Sequence, residues 1–372
     1  MKMSRPMQKP ESRATIYLDA NASEPPRPEA RAAMLAAFEM VGNPASVHGA
    51  GRKARALLED ARDAVAARFG GASGDLVFTS GGTEADALAV HALGAGRRLI
   101  IGATEHDAVR AAAPGATILR VDGNGVVDLD QLADLLAEAP ALVCLMLANN
   151  ETGVIHPIAD AAAICRRLGA RLHVDAVQAA GRMPVDLAAL GADSLALSAH
   201  KMGGPMGVGA LLVAASQQLL PLIKGGGQER GRRGGTPALP AIAGFAAAVA
   251  VSAPDFSGLR DRFAAAAMAC GAIEIGAGAA RLANTACLAL PGVKAETQVI
   301  ALDLAGIQVS AGAACSSGKV ARSHVLEAMG LGALAGEAIR VSLPWNVTAA
   351  EIDFAIAAYR VMAARLRPSL AA

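Results

Sequence analysis

The sequence predicts an α/β fold in which a mostly parallel sheet, covered by helices on both faces, precedes a smaller α/β unit. Three observations predict it. Between about residues 75 and 213, short apolar runs alternate with amphipathic helical patterns such as 128–138 and 158–168, as in repeated βα units. Five of the apolar runs end in polar clusters, at the place where open α/β sheets bind their ligands. After an apolar helical stretch, 238–251, the segment Ser252-Ala253-Pro254-Asp255-Phe256-Ser257-Gly258 reads as a linker into a new α/β pattern. The expected division is residues 16–252 and 258–368, with the segment 1–25 packing against the second unit and the site between the two.

The first polar strand end is Leu76-Val77-Phe78-Thr79, which runs into Ser80-Gly81-Gly82-Thr83-Glu84 and then an alanine-rich helix to about Leu93. Glycines there let backbone N–H groups approach an anion at the positive end of a helix, and Thr83 adds a hydroxyl, although an acid after a threonine is also an ordinary N-cap. The run Leu99-Ile100-Ile101 leads to Glu105-His106-Asp107, so His106 lies at a strand-to-helix junction and can stack on a planar ring or move a proton. The strand 142–147 ends in Asn149-Asn150-Glu151-Thr152-Gly153, which offers amides but also forms turns readily. Leu172-His173-Val174-Asp175 ends in a carboxylate that suits a pyridinium nitrogen or caps the next turn, and Gln178 follows three residues later. The fifth strand end, Ala192-Asp193-Ser194-Leu195-Ala196-Leu197, gives way to Ser198-Ala199-His200-Lys201 and a glycine-rich turn. A desolvated lysine at a sheet edge loses its proton easily and can attack an aldehyde.

Downstream, Ser310-Ala311-Gly312-Ala313-Ala314-Cys315-Ser316-Ser317-Gly318 sets one thiol among small residues. Such a cysteine is accessible, unlike Cys144 in its apolar strand, and is read as reactive. The spacing from Gly312 to Lys319 does not match a phosphate-binding P-loop. Cys165, Cys270 and Cys287 fall in apolar patterns and are read as core.

Composition bounds these readings. The 372 residues, 53% of them hydrophobic, suffice for a large core. Lys and Arg number 34 against 33 Asp and Glu, a net charge of +1, which gives no reason to expect nucleic acid or a membrane surface as partner. The apolar stretch 238–251 is interrupted by Pro240 and Gly244 and is too short to span a bilayer. The N-terminus, Met1-Lys2-Met3-Ser4-Arg5-Pro6, lacks an apolar h-region, and five cysteines without a Cys-x-x-Cys pair fit a reducing cytosol and supply no metal site. A cytoplasmic location is therefore expected.

Taken together, these motifs resemble the cysteine desulfurases, pyridoxal-phosphate enzymes of fold type I that serve iron–sulfur assembly and nitrogen fixation. The resemblance also covers Tyr17-Leu18-Asp19-Ala20-Asn21-Ala22, Gly42-Asn43-Pro44-Ala45-Ser46-Val47-His48, Gly225-Gly226-Gly227-Gln228-Glu229-Arg230 and Arg340-Val341-Ser342-Leu343. It implies pyridoxal 5'-phosphate as cofactor, with Lys201 as its Schiff-base lysine, Asp175 and Gln178 on the ring and His106 stacked against it. Gly82, Thr83, Ser198 and His200 are implied at the phosphate, Asn150 at cofactor and substrate, and Arg340 at the substrate carboxylate. The family forms homodimers, so Thr236 is implied to complete the phosphate site of the neighbouring subunit. L-Cysteine is the implied substrate, Cys315 the residue that takes its sulfur as a persulfide, and the partner a sulfur-acceptor protein. Cys315 and Arg340 are 25 positions apart, a long, mobile intervening segment like that of the group serving nitrogen fixation and general iron–sulfur assembly. The chain departs from the family at Ala85-Asp86-Ala87 and at Pro344-Trp345-Asn346, where a glycine commonly follows the leucine, and its tail after Arg340 is short. Other readings of the same residues are a selenocysteine lyase, another fold-type-I aminotransferase or lyase, and a partner-dependent sulfur-delivery subunit.

Overall fold

Residues 15–215, 217, 219–312 and 322–367 are described by a computed structural model. The strand β1 (Ile16–Tyr17) begins them, and seven further strands follow: β2 (Leu76–Thr79), β3 (Arg98–Gly102), β4 (Thr117–Leu119), β5 (Ala141–Met146), β6 (Arg171–Asp175), β7 (Ser194–Ser198) and β8 (Gly209–Val213). These seven form one sheet in the order β2-β8-β7-β6-β5-β3-β4. From β7 to β4 every pairing is parallel, while β8 runs antiparallel to both β2 and β7. The reason is local: no α-helix lies between β7 and β8, only the short connection 199–208, so the chain has no crossover with which to return in parallel. β2, β5, β7 and β8 are buried along their whole length, which explains why their sequences read as continuous apolar runs without alternation.

The remaining strands are β9 (Ile273–Ile275), β10 (Thr285–Ala289), β11 (Ile307–Gln308), β12 (Ser310–Ala311) and β13 (Ala338–Ser342). Four of them form an antiparallel sheet in the order β12-β13-β10-β9. β1 pairs in parallel with β11, and Asp19 bridges to Ser342, so the first described residues join this second sheet and not the first. Ile16 and Leu18 accordingly pack in a core with Phe263, Leu288, Val341 and Tyr359 from the C-terminal part of the chain. A separate and larger core lies under the seven-stranded sheet, around Val143, Leu145, Leu172, Leu195 and Phe245.

The helices expected at 128–138 and 158–168 are Leu129–Glu138, with Asp128 as N-cap, and Ile158–Arg167. The apolar stretch after Ala238 is the helix Leu239–Val249, whose central face is buried. Among the described residues no helix is long and apolar enough to cross a membrane. Cys144, Cys165, Cys270 and Cys287 are all free thiols; Cys270 is partly exposed and the other three are buried. Cys315 lies outside the described residues.

Candidate active site

The parallel strands all point their C-terminal ends the same way, and the loops that leave them surround a cavity of about 240 Å³. Gly82, Thr83, Asp86, His106, Asn150, Asp175, Gln178, Ser198, His200 and Lys201 all line it. Residues up to 119 positions apart in sequence thus meet because each follows, or lies one helical turn beyond, the end of a strand.

β2 is followed by the helix Gly82–Leu93, with Gly81 at its N-cap. The turn between them is tied by Thr79, whose Oγ1 donates to the carbonyl of Gly81 at 2.9 Å, and by Ser80, whose N–H donates to Glu84 Oε2 at 2.8 Å. A Cβ on Gly82 would lie 2.7 Å from the Val177 side chain and 3.6 Å from Ser198 Cβ, so the missing side chain keeps the space between these elements open. The first N–H groups of a helix have no intrahelical partner, so this helix start, beside the Thr83 and Ser198 hydroxyls, can hold an anion.

His106 caps the helix Asp107–Ala112 by accepting the Ala108 N–H at Nδ1, 3.1 Å away. A nitrogen that accepts carries no proton, so the neutral ring holds its proton on Nε2. The peptide before it is held by His324, whose Nε2 lies 3.0 Å from the Glu105 carbonyl, and by Glu105 Oε1, which accepts the Met146 N–H at 2.7 Å. Burial holds the Glu105 carboxyl well above the usual range.

Asp175 is a cap and a cavity carboxylate at once. Its Oδ1 caps the next turn by accepting the Val177 N–H at 2.8 Å, and its side chain lines the cavity. Burial, with the neighbouring Asp86 carboxylate adding to it, pushes Asp175 up to about 7. A buried carboxyl with that value holds a proton readily and gives it up when a cation arrives beside it. Asp86 belongs to the same arrangement: its Oδ1 lies 3.1 Å from His173 Nε2, and His173 Nδ1 lies 2.8 Å from Ser194 Oγ. Burial raises Asp86 to about 8 and lowers His173 to about 4.

Lys201 closes the short turn Ala199–Lys201 after β7, and its Nζ donates to the carbonyls of Asn21 at 2.6 Å and Ala22 at 3.1 Å. Gln178 Nε2 also donates to Asn21 O, at 3.0 Å, and its Oε1 accepts from Arg182. His200 Nδ1 lies 3.3 Å from Ser23 Oγ, and burial together with the Lys201 charge lowers its ring to about 4, leaving it neutral. The segment 19–24, although paired with the second sheet, therefore supplies one wall of contacts to the cavity residues.

Two expected site residues lie apart from this cavity. Arg340, on β13, is buried and donates from Nη2 to Asp19 Oδ1 at 2.7 Å and from Nη1 to the Asn150 carbonyl at 3.0 Å. Among the described residues its Nε has no hydrogen-bond partner. Thr236 lines a different cavity, of about 160 Å³, together with Ser80, Glu229 and Arg233. Sequence reasoning missed Asp86, His173 and Asn21. Asp86 carried a signal, since it lies one helical turn beyond Thr83 and so shares its face; Asn21 reaches the site only through tertiary packing, its one signal being its place in the stretch 17–22 that resembles the family.

The profile of the class-V aminotransferase family matches residues 16–354. A cysteine desulfurase of Cereibacter sphaeroides is 43% identical over 359 residues, covering 91% of this chain and 93% of its own length. Among solved structures, a NifS-like protein of Rickettsia africae superposes with a TM-score of 0.84 at 34% identity, covering 94% of this chain and 99% of that one. A structure of SspA in complex with cysteine superposes with a TM-score of 0.79 at 29% identity, covering 89% of this chain and 99% of its own.

Proposed function

The chain belongs to the class-V aminotransferase family, among its cysteine desulfurases, and on that premise we propose that the Lys201 cavity takes pyridoxal 5'-phosphate and L-cysteine. The observation that carries this reading is the convergence on one cavity of an amine, a buried carboxyl, an imidazole and the start of a helix. That set fits the cofactor group by group: Lys201 for the aldehyde, Asp175 for the pyridine nitrogen, Gln178 for the phenolic oxygen, and Gly82, Thr83, Ser198 and His200 for the phosphate. When bound, the cofactor supplies an electron sink that stabilises negative charge at the substrate Cα.

The chain's own groups do the rest. Asp175 would oppose the ring's positive charge, and Asp86, held by His173, stands close enough to Asp175 to raise its proton affinity. Arg340 takes the substrate carboxylate as a fork, with Asn150 beside it. Lys201 Nζ, once released, removes the Cα proton. His106 carries a proton on Nε2 and passes it during sulfur transfer. Cys315, as thiolate, attacks the substrate sulfur; an S–S bond forms, the C–S bond breaks with its electron pair going to Cβ, and protonation of Cβ together with return of a proton to Cα gives alanine. The sulfur then leaves as a persulfide on Cys315 for an acceptor protein.

The active unit is a homodimer in which Thr236 serves the neighbouring cradle. Its position away from the Lys201 cavity of its own subunit supports this, as do the exposed apolar side chains Phe38, Val41, Val47, Met206 and Leu222. Free thiols support a reducing, cytoplasmic setting. Residues 16–252 and 258–368 are taken as the two units that bracket the site, and the long spacing from Cys315 to Arg340 favours the group that serves nitrogen fixation and general iron–sulfur assembly. Replacing Cys315 by Ala tests the mechanism: alanine production from cysteine should stop while the cofactor's visible absorbance stays. Continued alanine production would remove Cys315 from the reaction.

A further inference from the structure

Glu84 occupies the first turn of the helix Gly82–Leu93, the turn that forms the anion cradle. The turn uses this carboxylate, because Oε2 accepts the Ser80 N–H at 2.8 Å and so orders the residues that lead into Gly82. A negative charge at this point nevertheless opposes the arrival of a phosphate dianion. The opposing charge is answered from elsewhere in the chain. Arg233 grips both oxygens, Nε to Oε1 at 2.8 Å and Nη2 to Oε2 at 3.1 Å. The two side chains are 22% and 11% exposed, so solvent does little to screen the carboxylate in the arginine's place.

Arg233 is itself held firmly. It stands in the loop 225–236, which is anchored to β2 by Glu229: the buried carboxylate receives Arg62 Nη1 at 2.6 Å, Arg62 Nη2 at 2.8 Å and the Phe78 N–H at 3.0 Å. Glu229 and Arg230 adopt φ values of 49° and 58°, a left-handed conformation that residues other than glycine adopt rarely and only under surrounding constraint. Across the loop, a Cβ on Gly234 would lie 2.7 Å from Gly225 Cα, so the two chain segments close on one another through glycine. Constraint of this kind fixes the guanidinium against Glu84.

We propose that Arg233 is a positioning residue that neutralises Glu84, so that the turn keeps the carboxylate which orders it and the cradle still accepts a phosphate dianion. The inference rests on the phosphate reading given above. It is tested by titrating the cofactor-free full-length protein with pyridoxal 5'-phosphate and, separately, with pyridoxal, following visible absorbance. Arg233→Met should weaken the phosphate ester about tenfold, near 1.4 kcal/mol, and leave pyridoxal unchanged. The double variant Glu84→Gln/Arg233→Met should regain most of that loss, since glutamine still accepts the Ser80 N–H but carries no charge. Arg233→Lys, which keeps the charge without the fork, should fall between. Equal weakening of both ligands in Arg233→Met, or a double variant that binds no tighter than the single one, would overturn the inference and leave the arginine a loop anchor only. Wild-type protein that binds pyridoxal as tightly as its phosphate ester would overturn the phosphate reading, and this inference with it.

Discussion

The seven-stranded sheet delivers Lys201, Asp175, His106 and Gly82 to one cavity from the ends of its strands, whereas the antiparallel sheet brings Arg340 already paired with Asp19. The first arrangement follows from topology alone, because parallel strands must end on the same edge. The second depends on contacts made across the whole chain: Asp19 lies 321 positions from its partner. A site of this kind has one half built by local βα rules and another half that exists only once the two ends of the chain have met.

That contrast can be broken at several points, beginning with the largest effect. Lys201→Ala should lower turnover of L-cysteine by ~10⁴-fold or more, because it removes the group assigned both cofactor attachment and proton removal. Single-turnover assays with added cofactor measure it, and a variant within tenfold of the wild type would detach the cavity from the chemistry. Next, Arg62→Met should cost about 3 kcal/mol in urea unfolding, since it strands the buried Glu229 carboxylate that now takes both guanidinium nitrogens. A cost below 1 kcal/mol would mean that the loop bearing Arg233 and Thr236 is held by something else.

Arg340→Lys probes the second half of the site. Losing the planar fork should reduce kcat/KM for L-cysteine about a hundredfold, near 2.7 kcal/mol, while cysteamine, which has no carboxylate, binds as before. Equal losses for both would show that Arg340 acts through packing and not on the substrate. The smallest effect is one of pH. A carboxyl whose value is raised from near 3.9 in the unfolded chain to about 7 in the fold contributes stability that is complete below about pH 4 and is lost as pH rises through about 7. Cofactor-free wild type should therefore lose stability relative to Asp175→Asn between pH 5 and pH 8, by on the order of 1 kcal/mol. Melting temperatures at the two values measure this; a constant difference between the proteins would show that Asp175 is already ionised in the empty site.

Legibility in the sequence follows the same division. The strand ends of the seven-stranded sheet were readable because apolar runs such as 142–147 stop abruptly at polar residues, and the running alternation with helices implied parallel pairing. The antiparallel β8 broke that alternation, being joined to β7 by a turn too short for a crossover. Asp175 could be read either as a cap or as a cavity carboxylate, and it is both, using one oxygen for the Val177 N–H. Asp86 looked like a departure, but its place one turn after Thr83 sets it against His173. The contacts of Asn21 with Lys201 and Gln178, and of Asp19 with Arg340, join residues 157 to 321 positions apart, so no local pattern in the sequence announces them. Cys315, read from its small neighbours alone, lies outside the described residues and rests on sequence and family.

The central claim is tested most directly by the visible spectrum of the purified protein before and after L-cysteine, with alanine and sulfide assayed in the same sample. A cofactor band that shifts on addition while both products appear is the predicted result. A protein that holds no band when supplied with pyridoxal 5'-phosphate, or whose band responds to cysteine without releasing alanine, would contradict it.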